Sequence, residues 1–122
     1  MPRSFRKERL NERLKELLGE LVLKQIKDPR DGLVTFTSTR VAPDLTVAKV
    51  YFTVMGDEAT RAETKKGLES AKSFLRKSIG RELKLRQVPD LRFIYDDTLD
   101  RSLRIEDALN KLHEDDKGNG ND

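Results

Sequence analysis

Three observations place this chain in the α+β class. A leucine-spaced helix opens it, two β-branched runs follow across a short turn, and a long helical pattern then ends at Val88-Pro89 before another apolar run. The predicted order is helix, strand, strand, helix, bend, helix, strand, helix. At 122 residues the chain fits one domain, able to bury on the order of two-thirds of its unfolded surface. Aromatics make up 6% and there is no Trp, so the core should be small and aliphatic.

The first helix is expected over residues 4–26. Leu10, Leu14, Leu17, Leu18, Leu21 and Val22 recur at i, i+3, i+4 and i+7 spacing, Ile26 extends the pattern, and Ser4 is a candidate N-cap. Asp28-Pro29-Arg30-Asp31-Gly32 should end it, since proline cannot continue a helix and Asp-Gly favours a turn.

Leu33 to Val41 reads as a strand with Val34, Phe36 and Ser38 on one side and threonines on the other. Ala42-Pro43-Asp44 is a turn. Leu45 to Met55 reads as the second strand, with Ala48, Val50, Phe52 and Val54 sharing one face and Lys49 and Tyr51 the other. The two should form an antiparallel hairpin.

Gly56-Asp57 breaks the second strand, and Thr60 with Glu63 fits a capping box. Leu68, Ala71, Phe74, Leu75, Ile79 and Leu83 carry a helical pattern onward. A single helix over 60–86 would contain several weak helix formers. Two helices meeting at a bend in Ser70-Ala71-Lys72-Ser73 are therefore expected. Leu91, Phe93 and Tyr95 suggest a third strand, and Asp96-Asp97-Thr98 offers capping for a last helix with Leu99, Leu103, Ile105, Ala108, Leu109 and Leu112 as its apolar set. From Glu114 onward nothing can bury itself. The expected division is one folded domain over 1–113 and a disordered acidic tail over 114–122, with helices covering one sheet face and leaving the other partly wet.

Charge is unevenly placed. The chain totals +3, yet residues 1–15 alone carry +4, residues 105–122 carry −4, and residues 76–86 hold five bases against one acid, Glu82. Such a concentration predicts a face for a polyanion, with RNA the leading candidate. The candidate RNA-binding residues are Lys72, Arg76, Lys77, Arg81, Lys84 and Arg86, joined by Arg3, Arg6, Lys7 and Arg9 of the first helix. Lys77, Arg81 and Lys84 fall at i, i+4 and i+7. The competing reading makes these charges a solvated helix face, but one acid cannot pair with five bases. Phe36, Phe52, Phe74 and Phe93 sit at core-compatible positions, leaving Tyr51 and Tyr95 as the rings that could be exposed. Binding should then rest on phosphate contact and shape.

Other chemistry finds little support. With no cysteine, disulfides and thiolate catalysis are excluded, and a reducing cytoplasm is the expected setting. The single histidine, His113, stands beside the acidic run with no partner for general-base work. Asp96, Asp97 and Asp100 suit helix capping better than a metal. No phosphate loop, metal-type spacing or nucleophile elbow occurs. No catalytic residue, metal, cofactor or membrane span is expected.

Several ordered pieces add a resemblance. Arg6 with Arg9, Ile26-Lys27-Asp28-Pro29-Arg30, Thr39-Arg40-Val41, Asp44-Leu45, Ala48-Lys49-Val50-Tyr51, Ala71 to Arg76, Leu85-Arg86, Val88 to Phe93 and Asp96-Asp97 together resemble the ribosome-binding factor A family of bacterial small-subunit maturation factors. The resemblance spans roughly residues 4–112. It implies a type II KH-like fold with an additional C-terminal helix. It also implies a cytoplasmic, monomeric, non-enzymatic protein that binds free small (30S) subunits or their precursors, assists 5′-end processing of 16S rRNA, and matters most in the cold. The family's Ala-x-Gly bend falls on Ala71-Lys72-Ser73, so Ser73 predicts a shallower bend or a different local geometry. Two rivals remain. One is a general KH-like module for single-stranded RNA, against which the missing GXXG loop counts. The other is an interaction protein that holds a protein partner through its last helix and acidic tail.

Overall fold

The computed structural model describes residues 3–25 and 34–119, with side chains for 6–23 and 34–113. The order is α1 (Arg3–Gln25), β1 (Val34–Val41), β2 (Val47–Val54), α2 (Glu58–Ser70), α3 (Lys72–Leu83), β3 (Asp90–Tyr95) and α4 (Thr98–Asn119). This is the expected α+β, type II KH-like arrangement. The stop at 28–32 lies outside the described residues, as do residues 120–122 of the expected tail, while the backbone of 114–119 continues α4.

β1 and β2 pair antiparallel, as the short turn between them requires. The turn closes with Leu45 N–H donating to Ala42 O at 2.9 Å, and Asp44 Oδ1 accepts from Thr46 N–H at 3.1 Å. β3 adds to β2 in parallel, giving the order β1-β2-β3. A parallel neighbour needs a long crossover, and α2 with α3 supplies it.

The core fills the space between the sheet and three helices. Leu14 and Leu18 of α1, Leu68 of α2, and Leu75 and Ile79 of α3 meet Val50, Phe52, Leu91 and Phe93 of the sheet, all buried. Each such side chain contributes about 1.5–3 kcal/mol by leaving water. Val22, Phe36, Val41, Ala48 and Val54 complete the cluster.

β1 departs from simple alternation. The ladder shifts between Phe36 and Ser38, leaving Thr37 as an extra residue. One inserted residue reverses which side chains face the core. Ser38 therefore leaves the Phe36 side, and Thr39 with Val41 turns inward. Buried Thr39 is satisfied by donating its hydroxyl to the Asn11 carbonyl of α1. Asn11 Oδ1 in turn accepts the Val41 N–H at 2.9 Å, so α1 is tied to the edge strand at two points.

Two helices also differ from expectation. The N-cap of α2 is Asp57, whose side chain accepts from Thr60 N–H at 2.9 Å; Thr60 already lies inside the helix. The apolar set expected to dock α4 is exposed: Leu99, Leu103, Ile105, Leu109 and Leu112 are 55–66% accessible. Every residue from Arg101 to His113 is exposed. Among the described residues, only the first turn of α4 is held. Asp96 Oδ1 accepts from Thr98 N–H at 3.0 Å, and Arg61 of α2 pairs with Asp100 at 3.1 Å while stacking on the Tyr95 ring at 4.2 Å.

Candidate nucleic-acid interface

α3 divides its residues cleanly. Leu75, Ser78 and Ile79 face the core, which turns Phe74, Lys77 and Arg81 outward to solvent. Phe74, expected in the core, is 45% exposed, because the neighbouring positions 75, 78 and 79 already fill the inward stripe. It lies at i−3 and i−7 from Lys77 and Arg81 and gives the basic face an aromatic surface. α3 ends at Leu83, and Lys84 closes it in the left-handed region (φ 52°, ψ 45°). Lys84 thus stands just past the helix, and Arg86 is exposed in the loop beyond. Among the described residues Lys77, Arg81, Lys84 and Arg86 form no ion pair, and Glu82 neutralises none of them. Local charge cancellation, the bland account of this helix, does not occur.

Two other predicted residues have structural work. The Arg76 guanidinium donates to the Val88 carbonyl at 2.9 Å and the Pro89 carbonyl at 3.2 Å. It staples the loop entering β3 onto α3. Gly80 permits the same approach, since a Cβ there would meet Val88 Cγ2 at 2.8 Å. Lys72 pairs with Glu69 at 2.9 Å and lies 3.9 Å from Asp90.

The α2–α3 junction is a kink of one residue. Ala71 (φ −86°, ψ −2°) caps both helices, and Leu75 N–H donates to the Ala71 carbonyl at 2.9 Å. Ser73 is inside α3 and has no positive φ. The bend therefore makes no demand there that only glycine could meet, and serine is accommodated without strain.

On α1, Arg6 and Arg9 are exposed and Lys7 is half-buried; the Arg3 side chain lies outside the described residues. α1 packs against α3, so both basic helices belong to the one layer. Arg9 is engaged in an interaction of its own.

The sheet face away from the helices holds residues that the sequence did not single out. The ladders set Arg40 beside Lys49 and Lys49 beside Arg92, and all three are exposed. They line an open groove of about 870 Å³ together with Tyr51 and Ile94. The parity of Lys49 was readable from β2. The Arg40 position depends on the Thr37 bulge, and that of Arg92 on a long-range parallel pairing.

The acids do structural work. Hydrogen bonds from Thr37 and Thr98 hold the Asp96 carboxyl below its ordinary range, and the Thr60 backbone N–H does the same for Asp57. His113 is exposed. Among the described residues no group of three or more His, Cys, Asp or Glu could hold a metal ion, and no helix is long and apolar enough to cross a membrane.

Comparison with known proteins gives a consistent result. The family model described as Ribosome-binding factor A matches residues 6–109. A ribosome-binding factor A from Geotalea uraniireducens is 45% identical over 107 residues, covering 88% of each chain. The crystal structure of ribosome-binding factor A from Thermus thermophilus superposes with a TM-score of 0.64 at 28% identity, covering 73% of this chain and 94% of that one. A homology model of the Thermus thermophilus factor, fitted into a cryo-EM map of its complex with the 30S subunit, gives 0.60 at 27% identity over 70% of this chain and 90% of that chain.

Proposed function

This chain belongs to the ribosome-binding factor A family, and from that premise we propose that it binds the free small ribosomal subunit or its late precursor through 16S rRNA. The carrying observation is the outer surface of α3 and the turn after it, where Lys77, Arg81, Lys84 and Arg86 are exposed without ion-pair partners among the described residues and Phe74 is exposed three and seven positions before Lys77 and Arg81. Unpaired cations on a rigid helix attract phosphate and release counterions on contact. Phe74 adds a ring on which an unpaired base can stack. Arg6 and Lys7 of α1 extend the same layer.

The function is conformational. A surface that fits one local rRNA arrangement better than its competitors raises the population of that arrangement. Maturation of the 16S 5′ end follows once the RNA is held, and the need is greatest in the cold, where misfolded helices escape slowly. The protein acts in the cytoplasm and catalyses no bond cleavage itself.

Reversing Lys77, Arg81 and Lys84 to Glu tests the site. The triple variant should keep its circular dichroism and melting profile, because none of the three contributes to the core, yet lose co-sedimentation with purified small subunits. In a strain lacking the factor it should leave 16S rRNA with an unprocessed 5′ end at low temperature, where the wild type restores it. Co-sedimentation equal to wild type would remove α3 from the interface.

A further inference from the structure

We propose that the open face of the sheet is a second RNA-binding surface, which takes a single-stranded segment across the row Arg40–Lys49–Arg92 with Tyr51 as its stacking platform. The protein would then hold two RNA segments at once, one on each side of its sheet. The inference rests on the reading above only in taking RNA as the partner.

The row is built by register. Arg40 pairs laterally with Lys49, and Lys49 with Arg92. Strands lie about 4.8 Å apart, so three cations sit within roughly 10 Å. Like charges directly opposite one another destabilise a sheet, and among the described residues none of the three has an ion-pair partner. Asp90 of the same strand lies against Lys72, and Asp96 and Asp97 are taken by Thr37, Thr98 and Arg101. Asp96 and Asp97 line the same groove but form no ion pair with the row, so the repulsion is at most partly offset and a polyanion would relieve it.

The adjoining row identifies the kind of polyanion. Tyr51 lies between Ser38 and Ile94, one step along the ladder from Lys49, and lines the same groove. Tyr95 also borders the groove, but its ring is already engaged, edge-on to Phe52 at 5.8 Å and under Arg61, which leaves Tyr51 as the ring for stacking. A single aromatic beside a cation row on an open sheet suits backbone contact combined with stacking of one unpaired base. A duplex buries its base faces and could use the cations alone.

The test titrates the full-length chain with a fluorescein-labelled 12-nucleotide single-stranded RNA, comparing wild type, Lys49→Thr/Arg92→Thr, Tyr51→Thr and the α3 triple reversal. Wild type should bind two RNAs, and the double threonine variant one. The lost site should weaken at least ten-fold, with the salt slope falling by about 1.4 for two phosphates. Tyr51→Thr should weaken RNA by about five-fold or more and leave binding of inorganic polyphosphate unchanged. Relief of repulsion should leave the double variant melting no lower than wild type. A wild-type stoichiometry of one, or unchanged affinity in the double variant, overturns the proposal. So does normal RNA binding combined with lost subunit co-sedimentation, which would assign the face to a protein partner. Loss of RNA only in the α3 reversal sinks this inference and leaves α3 standing; loss only in the sheet variant does the reverse.

Discussion

α3 and α4 carry similar sequence signals and meet opposite fates. Both place apolar residues three and four apart. α3 buries Leu75 and Ile79 completely, whereas α4 leaves Leu99, Leu103, Ile105, Leu109 and Leu112 in solvent. Periodicity specifies a helix with a stripe, and burial then depends on how the helix is held. α3 is fixed at its start by the single-residue kink at Ala71 and along its length by the Arg76 staple to Val88 and Pro89. α4, over its described side chains, is held at its first turn alone. Its apolar residues also fail to align. At 100° per residue, Leu99 and Leu103 point well away from Ile105, Ala108, Leu109 and Leu112, so no single stripe runs its length.

The sharpest way to break this contrast is to delete the same side chain from each helix. Leu75→Ala should cost about 2–5 kcal/mol, the usual range for an emptied core leucine. Leu109→Ala should stay within about 0.5 kcal/mol, as for an exposed site. Urea denaturation midpoints read both. A large cost for Leu109 would mean that α4 docks on the body in solution.

The staple comes next in size. Arg76→Ala removes a charged donor from two carbonyls, worth about 1.5–3 kcal/mol. Lysine should rescue little, because a point charge cannot reproduce the planar fork that reaches both oxygens. If Arg76 instead served only RNA, alanine would weaken subunit binding and leave the denaturation midpoint where it was.

How much was legible follows from the range of each signal. The element order, the hairpin and the bend near Ala71 rest on local patterns, and they read correctly. The Thr37 bulge did not, because Thr-Phe-Thr-Ser-Thr carries no mark of where an extra residue enters. The inward turn of Thr39 is tolerated only because Asn11, 28 residues away, offers it an acceptor. Arg76 looked like its basic neighbours, since sequence gives charge but not which charge meets a carbonyl. The Arg40–Lys49–Arg92 row needed a β2–β3 register that joins residues some forty positions apart. The basic helix was legible as a charge excess; which of its cations stay free was not.

The smallest effect lies at the end of α3, where structure and binding pull against each other. Lys84 adopts φ 52° and ψ 45°, its N–H bonded to the Gly80 carbonyl, in a place that glycine usually fills. A side chain there costs the folded state about 1–2 kcal/mol. Glycine would relieve that cost but adds about 0.4–1 kcal/mol of unfolded-state entropy. Lys84→Gly should therefore stabilise the protein by between about 0 and about 1.6 kcal/mol in a urea titration. The same change removes one of the unpaired cations beside Lys77 and Arg81, and the salt dependence of subunit binding should weaken by about one phosphate's worth. Stabilisation with an unchanged salt slope would mean that the strained lysine serves the helix end alone. Stabilisation together with the weaker slope would show that strain is retained at this position because the charge is needed for RNA.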